Sequence, residues 1–193
     1  MNIMIIPEDF PKDRYVLEPI IRAMFKYLKK PMAKVEVCGS PRLRGIHQAL
    51  KTERIKEIID QYKYYVDVFL LIVDRDGVKD RRKNLDKLEE FAKRHVSNHH
   101  HFLAENAWQE VEVWALVGHE LPKGWDWKEI RRASNPKEAY FEPFVKTRNL
   151  LDEPGGGRKT LAEESARKYQ SVKKRCPEDI GALEEKIRAI LRG

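Results

Sequence analysis

The sequence predicts an α/β fold with a mainly parallel, four-stranded sheet flanked by helices, followed by a helical C-terminal region. Short apolar runs alternate with segments whose apolar residues recur at helical spacing, which is the pattern of repeated βα units. Residues 66–73 are almost entirely apolar, as expected of a central parallel strand covered on both faces. From residue 123 onward no run resembles a strand. We therefore expect an α/β domain at 1–122 and a helical extension packed on it at 123–193.

The first two βα units follow this pattern closely. Residues 2–6 predict a strand, and a helix follows in which Pro19 removes a backbone donor, so we expect the helix to be interrupted there. Residues 34–39 predict a second strand. After the loop GSPRLRG, one apolar stripe over 46–62 predicts a second helix.

The rest of the chain is less regular. Residues 102–104 predict a fourth strand, whereas the segment EVEVWALV fits either a strand or a buried helix. Thr160 and Glu163 match a capping box after a triple glycine, which predicts a helix that begins near Thr160. Pro177 marks the first turn of a last helix.

Composition restricts the function classes. The 193 residues carry a formal net charge of +7, which favours a polyanionic partner such as nucleic acid. Two cysteines form neither a disulfide framework nor a zinc motif. Neither a signal sequence nor an apolar stretch of about 20 residues is recognisable, so we expect a cytoplasmic protein with no membrane association.

Acidic residues follow two predicted strands. Glu8 and Asp9 come after the first strand, and Asp74 and Asp76 come after the long apolar one. The carboxyl ends of parallel strands meet at one edge of a sheet, where converging carboxylates need a cation. Hard oxygen ligands of this kind suit Mg²⁺ or Mn²⁺. In extended backbone Asp74 and Asp76 would point the same way, although a DxD pair alone also fits helix capping.

The order of these elements resembles the TOPRIM pattern over roughly the first 110 residues, with a Glu after the first strand and DxDG after the long apolar strand. Along nearly the whole chain the sequence is similar to the DUF4276 family of small TOPRIM-related proteins, through IIPEDFPKDRYVLEPIIRAMF, VCGS, LLIVDRDG, EVEVWALVG and DEPGGGRKTL. The resemblance implies a TOPRIM-like, Rossmann-like fold. It also implies that Glu8 serves acid/base chemistry or metal binding, and that Asp74 and Asp76 bind magnesium.

Two further glutamates could join this site. Glu110 and Glu112 share one face of a strand, but in a helix only one of them can face the site. The family resemblance favours the helix and Glu112, although both residues also fit the solvent face of an amphipathic element. The predicted catalytic set is therefore Glu8, Asp74, Asp76 and Glu112, and the first three are the predicted metal ligands.

Basic residues near this edge are candidates for phosphate binding. Those after the long strand begin with Arg75 and Lys79, and the Gly-rich segment before the capped helix ends in Arg158 and Lys159. A helix entrance of that kind can bind an anion, although such a segment is more commonly a flexible connector. Arg42 and Arg44, after the second strand, are similar candidates.

Together these features predict a metal-dependent, phosphodiester-cleaving protein that acts on DNA or RNA. Its small size and family associations suggest that it works with an ATPase partner protein. The alternative is a non-catalytic, nucleic-acid-binding or regulatory subunit that keeps the same scaffold. A third interpretation is a small-molecule phosphohydrolase, since an acidic metal site can act on any phosphate ester.

Overall fold

A parallel four-stranded sheet forms the centre of the computed structural model, which describes residues 1–97 and 99–192. Its strands are β1 (Asn2–Pro7), β2 (Lys34–Val37), β3 (Val68–Val73) and β4 (His101–Asn106), in the order β2-β1-β3-β4. All six residues of β3 are buried, because β1 and β4 flank it in the sheet and helices cover both faces. The predicted α/β fold is confirmed.

The described helices lie between the strands and throughout the C-terminal region. They are α1 (Phe10–Tyr27), α2 (Ile46–Ala49), α3 (Thr52–Tyr62), α4 (Arg81–Lys93), α5 (Glu112–Ala115), α6 (Trp127–Arg132), α7 (Glu142–Thr147), α8 (Arg158–Ala166), α9 (Tyr169–Arg175) and α10 (Ala182–Arg192). Short π-helical turns lead into α7 and α10. None of these helices combines the length and apolarity needed to cross a membrane.

Two apolar clusters cover the two faces of the sheet. Alternate residues of a strand point to opposite faces, so Ile5 and Leu70 pack against α1 while Ile6 and Leu71 pack against α3 and α4. The first cluster also contains residues of α8, such as Leu161. The helical C-terminal region therefore completes the core on the α1 face of the sheet.

Local structure differs from the sequence prediction at three places. α1 continues through Pro19, because the buried Leu17 and Ile20 on either side anchor both halves of the helix. The single stripe predicted over 46–62 is divided into α2 and α3. The helix predicted to begin near Thr160 begins at Arg158, since the left-handed Gly157 (φ 78°) ends the preceding loop there.

Within the ambiguous segment EVEVWALV, Glu112–Ala115 form the short helix α5, while Glu110 lies just before it. Both glutamates of this segment lie close to the end of β3, at the carboxyl edge of the sheet.

Candidate metal centre

The carboxyl ends of the two central strands bring Glu8 and Asp74 together. β1 and β3 are paired in parallel as far as Pro7 and Ile72, so the residues that follow leave the sheet side by side. The backbone N–H of Asp74 donates a hydrogen bond to Oε2 of Glu8 at 3.2 Å. Two acidic residues from distant sequence positions are therefore direct neighbours.

A tight turn after β3 positions the second aspartate. Asp76 has a left-handed backbone (φ 51°), a conformation that Asp adopts more readily than most residues. The turn is fastened to Gln109, whose carbonyl accepts from the Arg75 N–H at 2.8 Å and whose Oε1 accepts from the Gly77 N–H at 2.9 Å. The expectation that the two aspartates share one side of extended backbone is wrong, because the chain has already turned at Asp76.

Three carboxylates meet at this edge of the sheet. Asp74, Asp76 and Glu110 each offer an oxygen, and these oxygens all lie within 4.8 Å of one another. Asp74 Oδ1 accepts from the Val111 N–H at 2.9 Å, and Glu110 Oε2 accepts from the Lys137 N–H at 2.7 Å. Asp76 is exposed, so the triad opens to solvent on one side. An all-oxygen set of this geometry could hold a hard divalent cation.

Two buried carboxylates lie behind the triad. Asp13, in the first turn of α1, accepts from the Asp9 N–H at 2.8 Å. Glu112 Oε1 accepts from Arg158 Nε at 2.9 Å and from Nη2 at 2.5 Å. Sequence reasoning favoured Glu112 over Glu110, whereas the triad contains Glu110 and the Glu112 side chain is engaged by Arg158.

The crowding of carboxylates raises their pKa values. Burial, and then the nearby Glu112, Asp13 and Glu8, hold the pKa of Asp74 well above its ordinary value. Burial, followed by the charge of Glu112, raises the pKa of Asp13 to about 8. The site therefore resists full ionisation unless a cation neutralises it.

The outer carboxylates show the same direction of change. The pKa of Glu8 is raised by burial and by the charge of Asp76, against the opposing effect of a backbone donor at Asp74. The pKa of Glu110 is raised by burial and by the charge of Glu112, against the opposing hydrogen bond from the Lys137 backbone. Glu8 and the triad thus belong to one coupled acidic site.

One buried arginine faces the open side of the triad. Arg81 Nη2 lies 3.5 Å from Asp76 Oδ2 and 3.4 Å from the Arg75 carbonyl oxygen, both long contacts. Its Nε has no hydrogen-bond partner within the described part of the chain. Its charge lowers the pKa of the neighbouring Glu8, although burial dominates there.

The predicted phosphate-binding residues lie in different environments. The guanidinium of Arg75 stacks on Trp108, 4.1 Å from the ring centroid. Lys79 is exposed, and Lys159 is an exposed residue whose Nζ is 3.9 Å from Glu163. Arg158 is buried against Glu112. Phosphate binding by these residues stays a prediction.

The glycine-rich segment brings α8 close to α1. Gly155, Gly156 and Gly157 all have positive φ angles. A Cβ on Gly155 would lie 2.4 Å from Cδ2 of Tyr15, and the Gly155 carbonyl accepts from Arg158 Nη1 at 2.8 Å. The segment thus allows a close helix approach and helps to hold the arginine that pairs with Glu112.

Asp13 was missed by sequence reasoning, although a signal was present. It precedes the buried Val16 and Leu17 of α1 by three and four residues, so a carboxylate interrupts the apolar face of a helix. Such a residue needs a buried polar environment.

No family model, curated protein or solved structure matches this chain. The family resemblance therefore remains a prediction.

Proposed function

We propose that this protein is a metal-dependent phosphodiesterase of the nuclease type, acting on DNA or RNA with Mg²⁺ or Mn²⁺ held by Asp74, Asp76 and Glu110. The observation that carries the proposal is the approach of these three carboxylates to within 4.8 Å at the carboxyl edge of a parallel sheet. A divalent ion bound there would polarise the phosphoryl group of the substrate.

Glu8 is the residue best placed to accept a proton from the attacking water. Its carboxylate is hydrogen-bonded to the backbone of Asp74 and so lies beside the triad. Its raised pKa makes it a stronger base than an exposed glutamate, which suits a general base that works near neutral pH. Glu112 is a positioning residue, because it holds Arg158 and acts on Asp74 through its charge.

A second candidate is a nucleic-acid-binding or regulatory subunit that does not cleave its ligand. It is favoured by the internal counter-charges, since Arg158 neutralises Glu112 and Arg81 lies near Asp76. These arginines offset part of the acidic charge without a metal ion. An ATPase partner protein is compatible with either function and is part of the proposal.

The test is cleavage of supercoiled, linear and single-stranded DNA and of RNA, with Mg²⁺, Mn²⁺ or EDTA. Asp74→Asn/Asp76→Asn should reduce the metal-dependent rate at least about 100-fold, because the charges that hold the cation are removed. Asparagine keeps an oxygen for the Val111 N–H, so the fold should persist. Glu90→Gln/Glu120→Gln removes two exposed carboxylates and serves as the charge-matched control.

Cleavage that needs a metal and is lost only in the Asp74/Asp76 variant would support the nuclease. Oligonucleotide binding without cleavage would favour the second candidate. Hydrolysis confined to a small ester such as bis(p-nitrophenyl) phosphate would instead indicate a small-molecule phosphohydrolase. Equal cleavage by wild type and the Asp74/Asp76 variant would refute the assignment of the site.

A further inference from the structure

A groove lined by arginines lies beyond the end of β2, on the same edge of the sheet as the acidic triad. It is an open depression of about 640 Å³ and is lined by Gly39, Ser40, Arg42, Arg44, Gln48 and Arg54. Carboxylates are absent from these described lining residues, in contrast to the acidic site nearby. We name this feature the arginine groove.

The guanidinium of Arg42 is held in place by aromatic packing. It lies 4.3 Å from the centroid of the Phe10 ring, and its Nε donates to the Gly39 carbonyl at 3.1 Å. Arg14 stacks on the same phenyl ring at 4.9 Å. Because Phe10 follows Glu8 by two residues, this packing ties the arginine groove to the segment that carries the proposed general base.

The other two arginines of the groove, Arg54 and Arg44, differ in their surroundings. Arg54 forms an ion pair with Glu57, and its Nη2 lies 3.4 Å from the Arg42 carbonyl, so it supports the wall of the groove. The Arg44 side chain is exposed, while its backbone bridges to Asp9. Arg42 and Arg44 therefore present the charges that a ligand can reach.

The arginine groove is close enough to the triad to bind the same polymer. The Gly45 N–H donates to the Glu8 carbonyl at 3.2 Å, which joins the loop after β2 to the end of β1. Neighbouring strands are about 4.8 Å apart, so the ends of β2 and β3 are separated by roughly 10 Å. One nucleic-acid strand advances about 3.4 Å per phosphate in a duplex, so that distance spans only a few nucleotides.

We infer that the arginine groove binds the phosphate backbone of a polynucleotide beside the scissile phosphate. This rests on the proposed function, whose substrate is DNA or RNA, and it assigns the surface that holds the strand beside the acidic triad. Arginine suits the role because its planar guanidinium binds phosphate oxygens in a bidentate manner. The groove supplies the fixed positive charge that the acidic triad lacks.

The test measures binding separately from cleavage. Fluorescence anisotropy with a labelled single-stranded 15-mer, in EDTA and across a KCl series, compares wild type with Arg42→Gln/Arg44→Gln. Loss of two phosphate contacts should make the negative slope of log affinity against log salt less steep by about 1.4, which is roughly a 25-fold loss of affinity near 0.1 M salt. Lys26→Gln/Lys30→Gln removes the same charge at the opposite end of the sheet and should bind as wild type does.

Three results would overturn the inference: no binding by wild type, equal losses in both double variants, or competition by poly-glutamate as effective as that by an unlabelled oligonucleotide. The last result would indicate an acidic protein partner. Because the assay needs no turnover, the arginine groove can be supported even if cleavage is absent. Conversely, Asp74-dependent cleavage with unchanged binding by the Arg42/Arg44 variant would support the proposed function and reject the groove.

Discussion

At the scale of single residues, backbone N–H groups hold several carboxylates of the acidic site in position. Glu8 accepts from the Asp74 N–H, Asp74 from Val111 and Asp13 from Asp9. These hydrogen bonds fix the positions of the carboxylates, but a backbone N–H carries no full positive charge. Repulsion between the carboxylates and the cost of burying their charge therefore remain, and both raise the pKa values of Asp13 and Asp74.

Asp13 should make the metal-free protein less stable as the pH rises. Its pKa is about 8 in the folded protein against an ordinary value of 3.8, through burial and the charges of Glu112, Asp9 and Glu8. The folded state thus holds a proton that the unfolded chain releases, and this stabilisation is full below pH 3.8 and lost as the pH approaches 8. In EDTA, the free energy of unfolding should fall by up to about 4 kcal/mol between pH 5 and 8.

Urea denaturation at several pH values checks this. Asp13→Asn keeps an oxygen for the Asp9 N–H and should make the decline smaller, leaving the part due to Asp74, whose pKa is also raised. The exposed Glu90→Gln should follow wild type. A decline in Asp13→Asn parallel to that of wild type would assign the pH dependence to other groups.

At the scale of secondary structure, three loops and one C-terminal helix meet at the acidic site. The segments after β1, β3 and β4 supply Glu8, the Asp74 turn and Glu110, while α8 reaches in from the other side with Arg158. The glycines before α8 permit this approach, because a side chain at Gly155 would collide with Tyr15 of α1. α8 is thus part of the site as well as of the core.

The ion pair between Glu112 of α5 and Arg158 of α8 should contribute more to the stability of the fold than the neighbouring exposed charge of Lys159. Arg158→Met leaves the buried Glu112 without its partner and should cost about 3–5 kcal/mol. Arg158→Met/Glu112→Gln should cost less than the sum of its single changes, since neither charge is then left alone. Chemical denaturation of all four proteins gives the coupling energy.

Lys159→Met is the matched control on the same helix. Lys159 is exposed and its contact with Glu163 is 3.9 Å, so stability should change by less than about 0.5 kcal/mol. A small effect of Arg158→Met, combined with weaker oligonucleotide binding, would instead favour the phosphate-binding role predicted from the sequence.

At the scale of the whole molecule, an acidic cluster and a group of arginines lie along one edge of the sheet. The chain as a whole is basic, with a net charge of +7, yet three carboxylates converge beside the end of β3. The acidic triad and the arginine groove occupy the same edge of the sheet, at the carboxyl ends of β3 and β2. This arrangement suits a polyanionic ligand that contacts arginines in the groove and a metal ion at the triad.

A divalent ion should stabilise the whole fold by relieving the repulsion between the carboxylates. Saturation at about 100 times the dissociation constant adds about 2.7 kcal/mol, which should raise Tm by roughly 5–10 °C for a chain of this size. Asp74→Asn/Asp76→Asn should melt higher than wild type in EDTA and respond little to Mg²⁺ or Mn²⁺. Differential scanning fluorimetry measures both effects.

The exposed Glu90→Gln/Glu120→Gln variant should keep the wild-type response to the metal. An equal rise in Tm for wild type and the Asp74/Asp76 variant would locate metal binding elsewhere.

The sequence by itself determined the sheet, its buried central strand and the acidic residues that follow β1 and β3. These features depend on local periodicity and on the rule that parallel strands end at one edge. The local pattern could not choose between Glu110 and Glu112, because EVEVWALV fits two secondary structures and each orients the pair differently. The family resemblance favoured Glu112, whereas the triad contains Glu110. Nor did the sequence identify Asp13 as a site residue. The local pattern places Asp13 on an apolar helix face, but it does not show which groups surround the carboxylate there.

Only the tertiary structure decided which charges neutralise one another. Arg158 and Glu112 are 46 residues apart, and their contact depends on how α8 packs against α5. The arginine groove likewise depends on the loop after β2 folding onto Phe10 and Glu8. Electrostatic interactions are set by distance and burial in space, which sequence spacing does not specify outside regular elements.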